Sequence, residues 1–417
     1  MSRKTELQSR KSIFNRIRFS LSKRKGAVIL QAEILIVKGT KYMGKYDELL
    51  FTIPQEFHSW YGFVAPRGFF RGTTMMEKAK VYMDWTAVNK PLPMEVPHTH
   101  HCADEYLVFT GADMKNFFEF DGEVDVWLGE DAENMEMFTI TQPTIIRVPP
   151  KLYHCPVNFR KINPEKPIVF SAVYLDGDWS KINRKVNEQG REEFSYDGAG
   201  IRRCVMDRSK ECIYCGKCFS KAMKAAEAKD GGEKKTETQE AKAPQTDLLA
   251  PYYEMAKKPR TGKYDKYVFP YQPDVHTDDR FVSPRGGFRG QEEMDGSRLW
   301  YLYNIVQKEC TIGETHMHHA VEEYLFFTGA DISRFFEFDA EIEVSLGEDP
   351  EHMETYTITK PTVLRIPAGL WHGPVVVKRL GAPINFEPFY PSGCYGKVLC
   401  RDGQYVYEGN DLPKKNG

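Results

Sequence analysis

Two short stretches of this sequence place metal-ligating side chains at matching intervals. The first reads His98-Thr99-His100-His101-Cys102-Ala103-Asp104-Glu105, followed by Gly111. The second reads His316-Met317-His318-His319-Ala320-Val321-Glu322-Glu323, followed by Gly329. Alternate side chains on a strand share a face, so a His-x-His pair presents two imidazoles to one side, about 7 Å apart along the chain. A carboxylate a few residues on can fold back to the same point. A further imidazole stands far downstream of each stretch: His154 in Lys151-Leu152-Tyr153-His154, and His372 in Gly369-Leu370-Trp371-His372. Three imidazoles and one carboxylate suit Fe(II), Mn(II), Zn(II) or Ni(II), and leave coordination positions open for water or substrate.

The carboxylate is ambiguous by one position, Asp104 or Glu105 and Glu322 or Glu323. Neighbours on a strand face opposite ways, so only one of each pair can meet the imidazoles. Glutamate has the longer reach, and only Glu105 and Glu323 keep the same residue in both stretches, which favours them. His101 and His319 should then point away. Cys102 and Cys155 sit beside ligands only in the first set, where the second has Ala320 and Gly373, so the two sites are not identical. Arg71 with Arg289, and Arg147 with Arg365, recur at matched positions; an arginine near the site could hold a carboxylate substrate through a bidentate pair, or form structural ion pairs.

The two stretches belong to a longer internal repeat. Gly44-Lys45-Tyr46-Asp47 recurs as Gly262-Lys263-Tyr264-Asp265, Pro66-Arg67-Gly68 as Pro284-Arg285-Gly286, and Phe70-Arg71-Gly72 as Phe288-Arg289-Gly290. From there to Val157 the offset is 218 without a gap, and 36 of the 61 positions from His98 to Asn158 match their partners. That identity makes the chain a tandem duplication, with units over 44–198 and 262–409. Within each unit the pattern is that of short strands. Val124, Val126 and Leu128 alternate with Glu123, Asp125 and Trp127, as Ile342, Val344 and Leu346 do with Glu341, Glu343 and Ser345. Tyr106 to Thr110, Phe117 to Phe120, Phe138 to Thr141 and Thr144 to Val148 read as further strands, punctuated by Gly111, Gly129, Pro143 and Pro149-Pro150. Such a pattern implies an all-β sandwich or barrel.

These residues resemble the two motifs of the cupin superfamily, His-x-His-x(3–4)-Glu-x(5–6)-Gly followed by Pro-x-Gly-x-x-His. Pro367-Ala368-Gly369-Leu370-Trp371-His372 matches the second motif in full. Pro149-Pro150-Lys151-Leu152-Tyr153-His154 matches except that Lys151 replaces the glycine, so that turn is expected to differ slightly. The resemblance covers both repeats. It implies two antiparallel jelly-roll barrels, each with one metal ion inside, and a tendency of barrels to pair into homodimers.

Residues 199–261 have no counterpart in the duplication and form an insertion between units. Its middle, Lys221 to Gln245, is rich in Lys, Glu, Ala and Thr and reads as a flexible, partly helical linker. Before it lie Cys204, Cys212, Cys215 and Cys218, spaced C-x(7)-C-x(2)-C-x(2)-C. The last three are similar to the cysteine run of ferredoxin-type iron–sulfur sites, with Cys204 as fourth ligand; a closed zinc site is the competing expectation, and free thiols a third. Residues 1–43 hold eleven Lys or Arg against two acids, Glu6 and Glu33. A disordered basic arm is one expectation. A targeting segment is another, although Gln31 and Glu33 interrupt its apolar run. A start of translation at Met43, behind a purine-rich stretch encoding Lys38-Gly39-Thr40, is a third. Residues 410–417 form a short tail.

Composition limits the function classes. The formal net charge of −2 over 417 residues gives no global attraction to nucleic acid or an acidic membrane, and no apolar run approaches the roughly 18 residues of a membrane-crossing helix. Nine cysteines, four of them clustered, suit a reducing cytoplasm and a metal or redox site better than a disulfide framework. The reading favoured by the residues is a metal-dependent enzyme on a small polar metabolite such as an organic acid, of decarboxylase, dioxygenase or isomerase type. The alternative, from another class, is a non-catalytic protein whose barrels bind a metabolite while the cysteine cluster reports redox state.

Overall fold

The computed structural model describes residues 19–24, 27–32, 44–58, 60–100, 103–175, 180–186, 192–198 and 249–409. The cysteine cluster Cys204 to Cys218, the charged linker, His101 and Cys102 lie outside the described residues. The chain divides into two compact units, 1–44 and 45–417. In the first, Phe19–Arg24 and Ala27–Ala32 pair antiparallel, Phe19 opposite Ala32 and Arg24 opposite Ala27.

The second unit contains both repeats. The first barrel has one sheet in the order Met135–Ile140, Gly122–Gly129, Tyr153–Ile162, His98–Thr99, Ser180–Val186, Glu192–Gly198, with Leu92–Met94 also on Tyr153–Ile162. Facing it is a sheet ordered Val268–Pro270, Thr144–Val148, Glu105–Gly111, Ile168–Tyr174, Tyr82–Val88, Gly68–Arg71. The second barrel repeats the plan. Its sheets run His352–Ile358, Ala340–Asp349, Trp371–Leu380, His316–Met317, Gly396–Arg401, Gln404–Gly409, and Gly287–Phe288, Trp300–Leu302, Ile384–Tyr390, Glu323–Gly329, Thr362–Ile366, Leu50–Thr52. Two facing antiparallel sheets per repeat, with strands hopping between them, make two jelly-roll barrels in tandem.

The strand order contains an exchange. Leu50–Thr52, from the first repeat, pairs with Thr362–Ile366 of the second barrel. Val268–Pro270, from the second repeat, pairs with Thr144–Val148 of the first. Each barrel thus has an edge covered by the other repeat, which removes an open edge that would otherwise template aggregation.

Alternation along the strands produces three cores. Inward residues of the first barrel, among them Leu107, Phe109, Val124, Val126 and Leu128, form one, and Leu325, Phe327, Ile342, Val344 and Leu346 form its counterpart. The third joins the outer faces of the central sheets: Phe70, Trp85, Tyr106 and Phe117 pack with Phe288, Tyr301, Tyr324, Phe326 and Phe335. Here the Pro-Arg-Gly repeats find their reason, because a β-carbon on Gly68 would overlap the Phe335 ring, and one on Gly286 the Phe117 ring. Reciprocal backbone bonds, Met114 N to Ala330 O and Ile332 N to Ala112 O, each 2.9 Å, tie the barrels further.

Two expectations need correction. Phe117 to Phe120 is not a strand; it follows the short helical turn Met114–Asn116, and burying Phe117 between the barrels outweighs its strand-like composition. The turn with Lys151 does not differ from its glycine counterpart. Lys151 has φ 74° where Gly369 has φ 84°, and the N–H of each donates to the carbonyl of the second motif histidine, Lys151 to His100 at 2.9 Å and Gly369 to His318 at 2.8 Å. Lysine therefore adopts the left-handed conformation that glycine takes freely. The alternation around Trp127 also has a local cause. The helix Ala250–Ala256 lies on that face: Trp127 Nε1 donates to Tyr252 O at 3.2 Å, and Tyr253 Oη donates to Asp125 Oδ2 at 2.6 Å, so both outward residues are buried. No described helix is long and apolar enough to cross a membrane.

Candidate metal centres

Strand pairing places the motif residues. His98 lies opposite His154 in one sheet of the first barrel, and His316 opposite His372 in the second. Glu105 and Glu323 begin strands of the facing sheets. The result is two clusters, His98–His100–Glu105–His154 and His316–His318–Glu323–His372, in each of which one ligand-type atom per residue lies within 4.8 Å of all the others.

The geometry is nearly the same in both. Glu105 Oε2 is 2.7 Å from His100 Nε2 and 2.8 Å from His154 Nε2. Glu323 Oε2 is 3.1 Å from His318 Nε2 and 2.9 Å from His372 Nε2. Four of the Nδ1 atoms face backbone carbonyls: His98 meets Val96 O at 2.7 Å, His316 meets Glu314 O at 2.7 Å, His318 meets Gly396 O at 2.5 Å and His372 meets Leu370 O at 3.2 Å, whereas His154 Nδ1 has no hydrogen-bond partner among the described residues. A proton on Nδ1 donated to these carbonyls leaves the Nε2 lone pairs pointing inward, which is how a protein orients imidazoles around a cation.

Charge supports the same picture. Burial, and then the neighbouring His154 and His100, hold His98 well below the usual imidazole range. Burial and His372 push His316 down to about 2. Burial alone would raise Glu105 and Glu323, but the facing imidazoles outweigh it and hold both carboxyls well below their ordinary value. Imidazoles gathered around a buried carboxylate form a donor set for a divalent ion, which binds the deprotonated ligands. His372 Nε2 is itself buried and, although close to Glu323 Oε2, is not aligned for a hydrogen bond. A cation between those atoms would satisfy both, so the residues fit a metal.

The structure separates the paired carboxylates. Asp104 points away from the imidazoles to Arg147, with Nη2 to Oδ1 3.3 Å, and Arg298 Nη1 lies 3.7 Å from its Oδ2. Glu322 meets Arg365 Nη2 at 2.8 Å and accepts from Tyr324 Oη at 3.0 Å. Arg147 and Arg365 are therefore partners of the carboxylates that face away from the clusters. Arg289 meets Asp274 at 2.8 Å, and Arg71 lies 3.7 Å from Glu56. His319 is exposed, whereas Cys155 is buried beside His154.

One pair of residues at the clusters escaped the sequence reading. Tyr390 Oη donates to Glu323 Oε1 at 2.5 Å, and its ring lies 5.0 Å from that of His318. Tyr174 takes the same place in the first barrel, hydrogen-bonded to Glu105 with its ring 5.0 Å from that of His100. Burial and then the adjacent carboxylate charge hold both phenols far above their ordinary value, so each is a hydrogen-bond donor at neutral pH. These tyrosines are offset by 216 rather than 218, because the turn Asn163-Pro164-Glu165-Lys166-Pro167 shortens to Gly381-Ala382-Pro383. Realigning across that turn was the signal available.

No family model and no curated protein matches the chain. Among solved structures, a single-residue variant of oxalate decarboxylase from Bacillus subtilis is 12% identical, with a TM-score of 0.47 over 84% of this chain and 78% of that one. A formate complex of Lactobacillus farciminis oxalate decarboxylase is 12% identical, TM-score 0.47, over 85% and 89%. Vicilin from tomato is 13% identical, TM-score 0.44, over 82% and 85%. At that distance the names say nothing about the chemistry of this chain, whose architecture is read from its own strand order and paired clusters.

Proposed function

We propose that this chain is a metal-dependent enzyme that binds one divalent transition ion in each barrel and acts on a small polar metabolite such as an organic acid. The observation that carries the reading is the convergence of three imidazoles and one carboxylate, twice, with the ligating atoms within 4.8 Å. His98, His100, Glu105 and His154 would hold one ion, and His316, His318, Glu323 and His372 the other. Fe, Mn, Zn and Ni all suit this donor set, which with four protein ligands leaves positions for water and substrate. A bound ion supplies Lewis-acid polarisation of a substrate oxygen.

The chain's own residues do the rest. Backbone carbonyls hold the tautomers of His98, His316, His318 and His372, Tyr174 and Tyr390 hold the carboxylates, and the apolar barrel walls limit access of water. Cys204, Cys212, Cys215 and Cys218 belong to the proposal on their spacing alone, as ligands of an iron–sulfur cluster or a zinc ion in a cytoplasmic protein.

The test is turnover. Full-length protein, purified anaerobically and loaded separately with Mn(II), Fe(II), Zn(II) or Ni(II), would be incubated with small carboxylic acids and sugars and followed by NMR. A product that needs the metal and is lost with His154→Ala or His372→Ala supports an enzyme. Metabolite binding without any product would favour a binding protein instead.

A further inference from the structure

The two barrels differ at one position on the sheets that carry Glu105 and Glu323. In the first barrel Arg71, Tyr82, Tyr174 and Glu105 lie in one cross-strand row: Arg71 opposite Tyr82, Tyr82 opposite Tyr174, Tyr174 opposite Glu105. Directly opposed residues on adjacent strands share a face, so Arg71 is directed to the face that carries the metal cluster. It stands three strand spacings, about 14 Å along the sheet, from Glu105. Tyr82 and Tyr174 pack between them with ring centroids 5.3 Å apart.

Arg289 is the equivalent residue in the second barrel, and its needs are met within the chain. Its backbone N–H donates to Glu293 Oε2 at 2.6 Å, its Nη1 lies 3.5 Å from Glu293 Oε1, and its Nη2 lies 2.8 Å from Asp274. In the first barrel the counterpart of Glu293 is Met75. The Arg71 N–H meets the Met75 thioether sulfur, at 3.2 Å, where Arg289 meets a carboxylate. The Arg71 guanidinium lies over the Phe69 ring, 4.6 Å from its centroid, with Glu56 at 3.7 Å, beyond hydrogen-bond range, and among the described residues its buried Nε has no hydrogen-bond partner. Arg67 meanwhile holds the other oxygen of Glu56 at 2.5 Å. A buried guanidinium N–H without an acceptor is costly to leave unmet.

We propose that Arg71 anchors a carboxylate-bearing ligand in the first barrel, and that Glu293 fills the corresponding place in the second. The first barrel then admits an anion, whereas the second carries its own carboxylate there and admits a neutral ligand or none. The duplication has two metal clusters but one anion site. Guanidinium–carboxylate recognition is bidentate and charge-assisted, so its loss reads as a large change in affinity.

The inference builds on the barrel interiors as ligand sites, the reading given under Proposed function, but not on the metal. The test is therefore calorimetric titration of malonate, with malonamide as its neutral control, into full-length chain stripped with EDTA. Wild type should bind one malonate per chain and no malonamide. Arg71→Gln and Met75→Glu should each weaken malonate by about tenfold or more. Glu293→Met should create a second malonate site, a gain that misfolding cannot mimic. Zero or two malonates on wild type, an unchanged affinity in Met75→Glu, or equal binding of malonamide would overturn the inference. A chain that holds metal but no malonate overturns this inference alone; one that takes malonate but no metal overturns the metal reading alone.

Discussion

The phenol of Tyr390 donates to Glu323 Oε1 at 2.5 Å, while Glu323 Oε2 faces His318 and His372 at 3.1 and 2.9 Å. One oxygen of the carboxylate is fixed by the protein and the other is turned toward the imidazoles. Groups that orient a ligand in this way typically change metal affinity 10- to 100-fold when removed. Tyr390→Phe should thus weaken metal binding in the second barrel about tenfold, read by chelator competition in a His154→Ala background that leaves only that site. An unchanged affinity would mean the tyrosine merely packs.

Acid should destabilise the metal-free chain. His98 and His316 have lowered values in the fold, against 6.5 in the unfolded chain. Above pH 6.5 both states hold neutral imidazoles. As the pH falls below it, the unfolded chain takes up protons that the folded chain refuses, so stability drops. Glu105 and Glu323, also lowered, contribute stability above 4.5 that is lost as the pH falls through their folded values. The melting temperature without metal should decline from pH 7 to pH 5, and less steeply in a His98→Asn, His316→Asn double variant. A flat or rising profile would contradict this.

The strand exchange predicts that neither barrel stands alone. Residues 44–198 lack Val268–Pro270, and residues 262–409 lack Leu50–Thr52. Each also exposes its half of the aromatic core around Phe117 and Phe335. Expressed separately, the halves should aggregate, and co-expression should restore a soluble complex. A monomeric, cooperatively folding half would disprove the interdependence.

Tyr324 holds the barrels together at one point. Its hydroxyl accepts from the Lys80 N–H at 2.8 Å, 244 residues away, and donates to Glu322 at 3.0 Å. Tyr106 repeats the contact with the Arg298 N–H, also at 2.8 Å. Tyr324→Phe should cost about 1–3 kcal/mol, because buried groups lose their partner. Denaturant unfolding measures it, and a cost near zero would show that water replaces the hydroxyl.

Much of this arrangement was legible in the sequence because duplication wrote it twice. The offset of 218 exposed both motif sets, and strand alternation with the longer reach of glutamate chose Glu105 and Glu323 over Asp104 and Glu322. The structure adds what those neighbours do: they face the other way, onto Arg147 and Arg365. Tyr174 and Tyr390 were hidden by a turn two residues shorter in the second copy. The exchange of Leu50–Thr52 and Val268–Pro270 was not legible at all, since periodicity tells which face a strand buries but not which barrel it joins. Phe117 misled for a related reason: its apolar run serves a contact between barrels, not a strand within one.

The central claim is two metal centres, and metal content per chain tests it most directly. Plasma mass spectrometry on full-length protein, loaded with one divalent ion and freed of excess, should find about two ions per chain in the barrels, with His154→Ala and His372→Ala each removing one. Acid-labile sulfide, measured alongside, counts any iron belonging to the cysteine cluster separately. A chain that holds no divalent ion, or whose content is unchanged by both substitutions, would contradict the account.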